Sequence, residues 1–418
     1  MPLTMPYGAA ALRLPVDADL IAPPETRAAA DERAAVRHAL EHPIGCEPLS
    51  RIVKPGERVV IIVNDITRLA RTDLLLPLII ETLGVPDSDI SLVFALGTHR
   101  RQSEAEQRAI VGEEIFRRIR AYEHDANDGA NLVEAGTTSF GNRVTINRRV
   151  MEADRIILTG EIVFHLIAGY SGGRKSIVPG VAGYATATFN HRMLLDPRCR
   201  AGVLEGNPAH EDMLEGCRMV QPDFMVNLVL GPGGKVLHVV AGDVEQAHLA
   251  GCRAADRLLR TPVGRPYDVV IASAGGAPLD IDLRQAHKGM DNACAALVPG
   301  GSLYYYAECG DGLGSPKLGQ YLNAYAGEAE MERALTENFV IGGHKALWLA
   351  RMGNRYDVHL VTALDPRIVE RCGFHAVRPE EHEARLLELL RRKPGARVAA
   401  MPHAGYTVPA LSFKETTA

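Results

Sequence analysis

The sequence predicts an α/β protein of two domains built on mainly parallel sheets, and three observations lead to that fold class. Apolar runs of strand length recur along the chain. Each is followed by a turn and then by a helical pattern. A single polar, Arg-rich passage interrupts the series. The first run, Arg58 to Val63, precedes Asn64-Asp65, and the second, Ile90 to Leu96, precedes Gly97-Thr98-His99. A third, Arg155 to Thr159, leads into Gly160. A fourth, Asp268 to Ser273, leads into Ala274-Gly275-Gly276, and a fifth, Gly301 to Tyr306, follows Pro299-Gly300. Helical patterns run from Leu74 to Leu83, Glu104 to Arg120 and Glu380 to Arg391. Continuous apolar strands alternating with helices indicate parallel sheets covered on both faces. The polar passage, Arg253 to Arg265, precedes a fresh strand at Tyr267. A boundary there gives an N-terminal domain of residues 1–262 and a C-terminal domain of 263–418. The final Lys414 to Ala418 reads as a frayed end.

Composition narrows the function. Hydrophobic residues make up 46% and charged residues 23%, which is ordinary globular usage with ample core material. A formal net charge of −5 speaks against a nucleic-acid partner. No apolar stretch is long enough to span a membrane. The opening segment is broken by Pro2, Pro6, Pro15, Pro23 and Pro24 and has no basic n-region, so it does not read as a signal peptide. Seven scattered cysteines with no Cys-x-x-Cys pair suggest a reducing cytoplasm, no disulfide frame and no thiolate zinc site.

In open parallel sheets ligands bind beyond the carboxyl ends of the strands, and Asp65, Arg68, His99 and His165 all follow predicted strands. The window Gly160 to Arg192 is the densest. It holds His165, the run Gly172-Gly173-Arg174-Lys175, and His191. Glycines there let backbone approach a ligand, and successive N–H groups can cradle a phosphate-like anion beside Lys175. The P-loop spacing is absent. His99, His165 and His191 are candidates for proton transfer or metal ligation, against a structural role in loops. Arg68 suits a carboxylate, and Asp65 either serves the site or caps the next helix. Gln285 and Lys288 offer a further amide and cation. The sole tryptophan, Trp348, reads as core or as a ligand contact. His124-Asp125 is similar to a metal phosphohydrolase dyad.

Taken together, Asp65 to Arg68, Gly97-Thr98-His99-Arg100 and the run from His165 through His191 resemble the nickel-pincer lactate racemases and their 2-hydroxyacid racemase and epimerase relatives. The resemblance extends over nearly the whole chain. It implies racemisation or epimerisation of a 2-hydroxy acid in a cleft between the two domains, the first carrying the cofactor and the second closing over it. The implied cofactor is a nickel-pincer nucleotide, a pyridinium-3-thioamide-5-thiocarboxylate mononucleotide with nickel, supplied by separate cofactor-synthesis proteins. By position, Lys175 would be its tether and His191 its nickel ligand, with His99 and His165 as the acid/base pair. Arg68, Lys288 and Gln285 would hold the substrate. Gly172, Gly173, Arg174, Asp65 and Trp348 would line the cofactor.

The sequence departs from the family at Leu69-Ala70-Arg71, where proline usually follows the Asp-x-Thr-Arg motif. Arg71 adds a charge near the expected carboxylate, which would favour a larger or more acidic substrate, unless it is merely a solvated arginine. Two other readings remain open on the residues alone: a phosphate-handling hydrolase with a histidine-bound metal, and a non-catalytic cofactor or nucleotide carrier.

Overall fold

The strand Val59–Asn64 has five of its six residues buried and lies in the middle of a six-stranded sheet. The computed structural model describes residues 3–22, 28–68 and 70–411. Leu69 and the Lys414 to Ala418 end lie outside the described residues. The chain divides into two units: Thr26–Leu258, and Leu259–Ala418 joined by Met1–Glu25.

In the Thr26–Leu258 unit the strand order across the sheet is Val236–Gly242, Phe224–Leu230, Arg155–Glu161, Val59–Asn64, Ile90–Ala95, Arg120–Glu123. All neighbours are parallel except the first pair. The chain builds outward from Val59–Asn64 to one edge and then returns to its other side with Arg155–Glu161. The order therefore reverses between these two strands, the place where such sheets form a ligand crevice. Helix Thr72–Leu83 covers the sheet with eight buried residues and ends at Gly84, whose φ of +63° closes the last turn. The helix expected from Glu104 to Arg120 is instead two helices, Glu104–Val111 and Glu113–Arg118. Gly112, with φ of +84°, breaks the ladder between them, and Arg120 already belongs to the edge strand.

The other unit carries a six-stranded, wholly parallel sheet in the order His375–Val377, Asp357–Val361, Leu297–Tyr306, Tyr267–Ser273, Val398–Met401, Asp19–Leu20. The expected N-terminal domain of residues 1–262 is corrected by its last strand. Asp19–Leu20 pairs with Val398–Met401, and Met5, Tyr7 and Leu14 pack with Val269, Ile271, Tyr304 and Tyr306. Asp280 ties this opening segment down, because its Oδ2 accepts the N–H of Gly8 at 2.8 Å. The polar passage chosen for the domain boundary is helix Val244–Leu259 followed by strand Arg260–Val263, which pairs with Val408–Leu411. All seven cysteines are free. Among the described residues no helix is long and apolar enough to cross a membrane.

Met5 is fully buried. Met5→Ala should destabilise the unit that contains Trp348 by about 2–5 kcal/mol. Urea unfolding followed by the fluorescence of this single tryptophan reads that unit directly. An unchanged midpoint would contradict the assignment of the opening segment to it.

Candidate active site

At the carboxyl end of Val59–Asn64 the chain turns sharply. Asp65 Oδ1 accepts the backbone N–H of Thr67 at 3.1 Å and its hydroxyl at 2.6 Å, an Asx turn that fixes the carboxylate. The turn is tied to the loop after the neighbouring strand, since Ile66 N–H donates to Gln102 Oε1 at 2.7 Å. That loop brings His99 to Asp65, with Nδ1 2.5 Å from Oδ2. Burial pushes the Asp65 carboxyl up, but His99, Arg68 and Thr67 together hold it well below the ordinary carboxylate range. An ionised carboxylate on Nδ1 keeps the proton there and leaves Nε2 of His99 as the exchangeable position. Asp65 is thus the partner of His99 and of its own turn.

The second histidine is held by backbone. His165 Nδ1 accepts the N–H groups of Ile167 at 3.3 Å and Ala168 at 3.2 Å, so its neutral ring carries the proton on Nε2. Lys175 Nζ lies 3.3 Å from that Nε2. An N–H on the ring can donate to the amine only when the amine is neutral, because an ammonium has no lone pair.

The glycine run does not form the expected ladder of anion-binding N–H groups. Gly173 N–H donates to Asn227 Oδ1 at 2.8 Å and Lys175 N–H to Gly172 O at 3.2 Å. The glycines are needed for packing. A Cβ on Gly172, at φ +77°, would fall 2.5 Å from Asn227, and one on Gly173, at φ +50°, 2.9 Å from the His248 ring. Arg174 is also corrected as a residue facing a ligand, because its side chain is 1% exposed. Its guanidinium meets His210 Nδ1 at 3.0 Å, His248 Nε2 at 2.9 Å, Ala168 O at 2.7 Å and Gly172 O at 3.2 Å. Burial lowers Arg174 to about 10. Burial, then the Arg174 charge, lowers His210 to about 3 and keeps His248 neutral.

His191 lies on helix Tyr184–Arg192, and its Nδ1 is 2.9 Å from Ala187 O. The proton therefore sits on Nδ1 and the lone pair on Nε2, the tautomer a metal ligand requires. The neighbouring Asn190 anchors this helix through Asp212, a fully buried carboxylate that also accepts from Thr138 and Asn142.

In the other unit, Lys288 Nζ donates to Gln285 Oε1 at 2.6 Å on helix Leu283–Cys294. Trp348 Nε1 donates to Asp291 Oδ1 at 2.5 Å. Asp291 is half-buried, and its Oδ2 is sealed from solvent with no hydrogen-bond partner among the described residues. Sequence reasoning passed over Asp291, yet Gln285, Lys288 and Asp291 recur every third position of one helix, a stripe that would have pointed to it.

Two expectations lose their basis. His124 is buried with both ring nitrogens engaged, Nε2 on Ala182 O at 2.9 Å and Nδ1 on Asn147 at 3.2 Å, so it offers nothing to a metal. Arg71 is the left-handed residue that starts helix Thr72–Leu83. It pairs with Glu32 at 3.1 Å and Asp73 at 3.6 Å, which offset the charge expected to select an acidic substrate.

An oriented His–Asp pair and a second backbone-oriented histidine beside a lysine, beyond the carboxyl ends of a mainly parallel sheet, stand where α/β enzymes place their sites. Residues 7–202 match the lactate racemase N-terminal domain and residues 264–403 the lactate racemase C-terminal domain. The lactate racemase of Thermoanaerobacterium thermosaccharolyticum is 36% identical over 287 residues, which cover 68% of this chain and 67% of that protein. The lactate racemase of Lactiplantibacillus plantarum is 34% identical over 287 residues, 68% of each chain. The structure of the lactate racemase apoprotein from T. thermosaccharolyticum superposes with a TM-score of 0.88 at 28% identity, covering 98% of this chain and 100% of that one. The chain belongs to the lactate racemase family and is an isomerase.

Burial raises the Asp291 carboxyl to about 6, against the pull of Trp348 and Lys345. A carboxyl raised on folding stabilises the fold fully below its unfolded value, and that contribution fades as pH rises through about 6. Asp291→Asn keeps the acceptor for Trp348 and removes the ionisation. Its unfolding free energy should match the parent at pH 4 and exceed it at pH 8, by about 1–3 kcal/mol. A midpoint below the parent at pH 8 would show that the ionised form is the stabilised one.

Proposed function

We propose that this protein interconverts the two configurations of a 2-hydroxy acid, lactate or a larger relative, with a nickel-pincer nucleotide joined to Lys175. The observation that carries the reading is the contact between the Lys175 amine and Nε2 of His165, which favours an uncharged and therefore nucleophilic amine. The donor set suits the cofactor: an amine to form the tether, and in His191 an imidazole with its lone pair on Nε2, a ligand type nickel accepts. When bound, the cofactor supplies a ring carbon that takes up and returns a hydride.

The residues of the chain do the rest. His99 takes the hydroxyl proton of one enantiomer through Nε2, and Asp65 steadies the imidazolium that results. His165 is the acid partner of the pair: its Nε2–H faces the oxygen of the enantiomer that presents its hydroxyl from the other side. Arg68 and Lys288, the latter held by Gln285, give the carboxylate cations that anchor it while the planar 2-keto acid turns. Hydride removal suits this substrate class, because taking the C2 hydrogen as a proton would place a second negative charge beside the carboxylate. We further infer that separate proteins make the cofactor and that the free thiols suit a reducing cytoplasm. The metal-hydrolase reading has no support in His124, whose ring is fully engaged.

The test uses lactate deuterated at C2, incubated in ordinary water with the cofactor-loaded enzyme. The racemised product should keep its deuterium, because the same hydride returns to the keto acid. Loss of the label to solvent at the rate of racemisation would show proton abstraction and overturn the mechanism.

A further inference from the structure

Outside every residue assigned to the reaction, the C-terminal unit holds a second convergent group. Strand pairing puts Tyr304, His359 and His375 opposite one another on three adjacent strands, and Ser302 opposite Asp357 two residues earlier. Side chains two apart in a strand share a face, so these five side chains stand on one surface of the sheet. The His359 ring stacks between Tyr304, at 5.8 Å, and His375, at 4.7 Å. Nε2 of His359 and Nε2 of His375 each lie 3.2 Å from the same atom, Asp357 Oδ1. All three donor atoms lie within 4.8 Å of one another, and on a tetrahedral ion of zinc type, at bond lengths near 2.0–2.1 Å, they would stand about 3.3 Å apart, which the two distances to Asp357 match.

Two further observations favour an ion over a plain ion pair. His359 Nε2 is buried and, among the described residues, has no aligned hydrogen-bond partner, although Oδ1 is so close. Asp357 is oriented from behind: the buried Ser302 hydroxyl donates to its Oδ2 at 2.7 Å, leaving Oδ1 turned to the histidines. Such outer contacts are how proteins aim a ligating carboxylate. The three residues also line a cavity of about 700 Å³ whose wall carries both signs of charge, with Arg385 paired to Glu381 and Glu388 and Arg392 to Glu388.

We propose that Asp357, His359 and His375 bind a divalent transition-metal ion of the zinc type, with the remaining coordination position open to this cavity. Two imidazoles and one carboxylate are a sufficient set for such an ion, and three protein ligands leave room for an exogenous fourth. This site shares no residue with the proposed nickel site.

The test is a titration of the full chain with Co²⁺, whose visible bands report tetrahedral ligation, followed by displacement with Zn²⁺. It is run on the His191→Ala protein, so that the histidine proposed for nickel is already gone. That protein should bind a single equivalent of Co²⁺ with ligand-field bands, and Zn²⁺ should abolish them. Adding His375→Ala, a change at a mostly exposed side chain, should remove the bands. Adding Ser302→Ala instead, which keeps all three donors, should weaken binding about 10- to 100-fold. Absence of bands in the His191→Ala protein, or bands indifferent to both added substitutions, would overturn the proposal. Failure of racemisation in the loaded parent enzyme would leave this result unaffected.

Discussion

The arrangement of the candidate site depends on one buried cation. Arg174 is sealed in the interior with no carboxylate partner among the described residues, and its guanidinium is satisfied by two neutral histidines and two carbonyl oxygens. A charge so placed is costly unless its donors are met, so the groups that meet them are held in turn. Through Ala168 O it fixes the loop that presents two N–H groups to His165. Through Gly172 O it fixes the turn that leads into Lys175. The contact between His165 and Lys175 follows from Arg174 pointing inward while the next residue points away.

The sheet supplies the other half of the geometry. Reversal of strand order between Val59–Asn64 and Arg155–Glu161 sends two connections outward side by side. Asp65 stands on the first and His165 on the second, and the adjacent strand adds His99. Gly97 N–H donates to Gly180 O at 2.9 Å, which stitches the His99 loop to the segment that follows Lys175. Rigid strands thus position loop residues whose tautomers are each fixed by a named partner, which is the pre-organisation that proton transfer needs.

Much of this was legible in the sequence, for a physical reason. Strands buried on both faces are continuous apolar runs, so the central ones announced themselves, and with them the residues just beyond their ends. The pieces that stayed hidden depend on pairing across long stretches of chain. Asp19–Leu20 is an exposed two-residue edge strand with no pattern to mark it. His375 meets Asp357 and His359 only through the register of two strands. Arg174 misled because a charged residue beside glycines reads as exposed, while here the glycines are present to let Asn227 and His248 close in. The resemblance to the racemases named His99, His165, Lys175 and His191. The structure adds the partners that explain their tautomers: Asp65, the Ile167 and Ala168 amides, and Ala187 O.

The central claim is that Lys175 carries the cofactor, and the intact mass of the chain tests it most directly. The protein would be produced in cells that make the pincer nucleotide, with nickel supplied, and then digested to locate any adduct. The account predicts an added mass equal to the nucleotide with nickel, mapped to Lys175. An active preparation in which Lys175 is unmodified would contradict it.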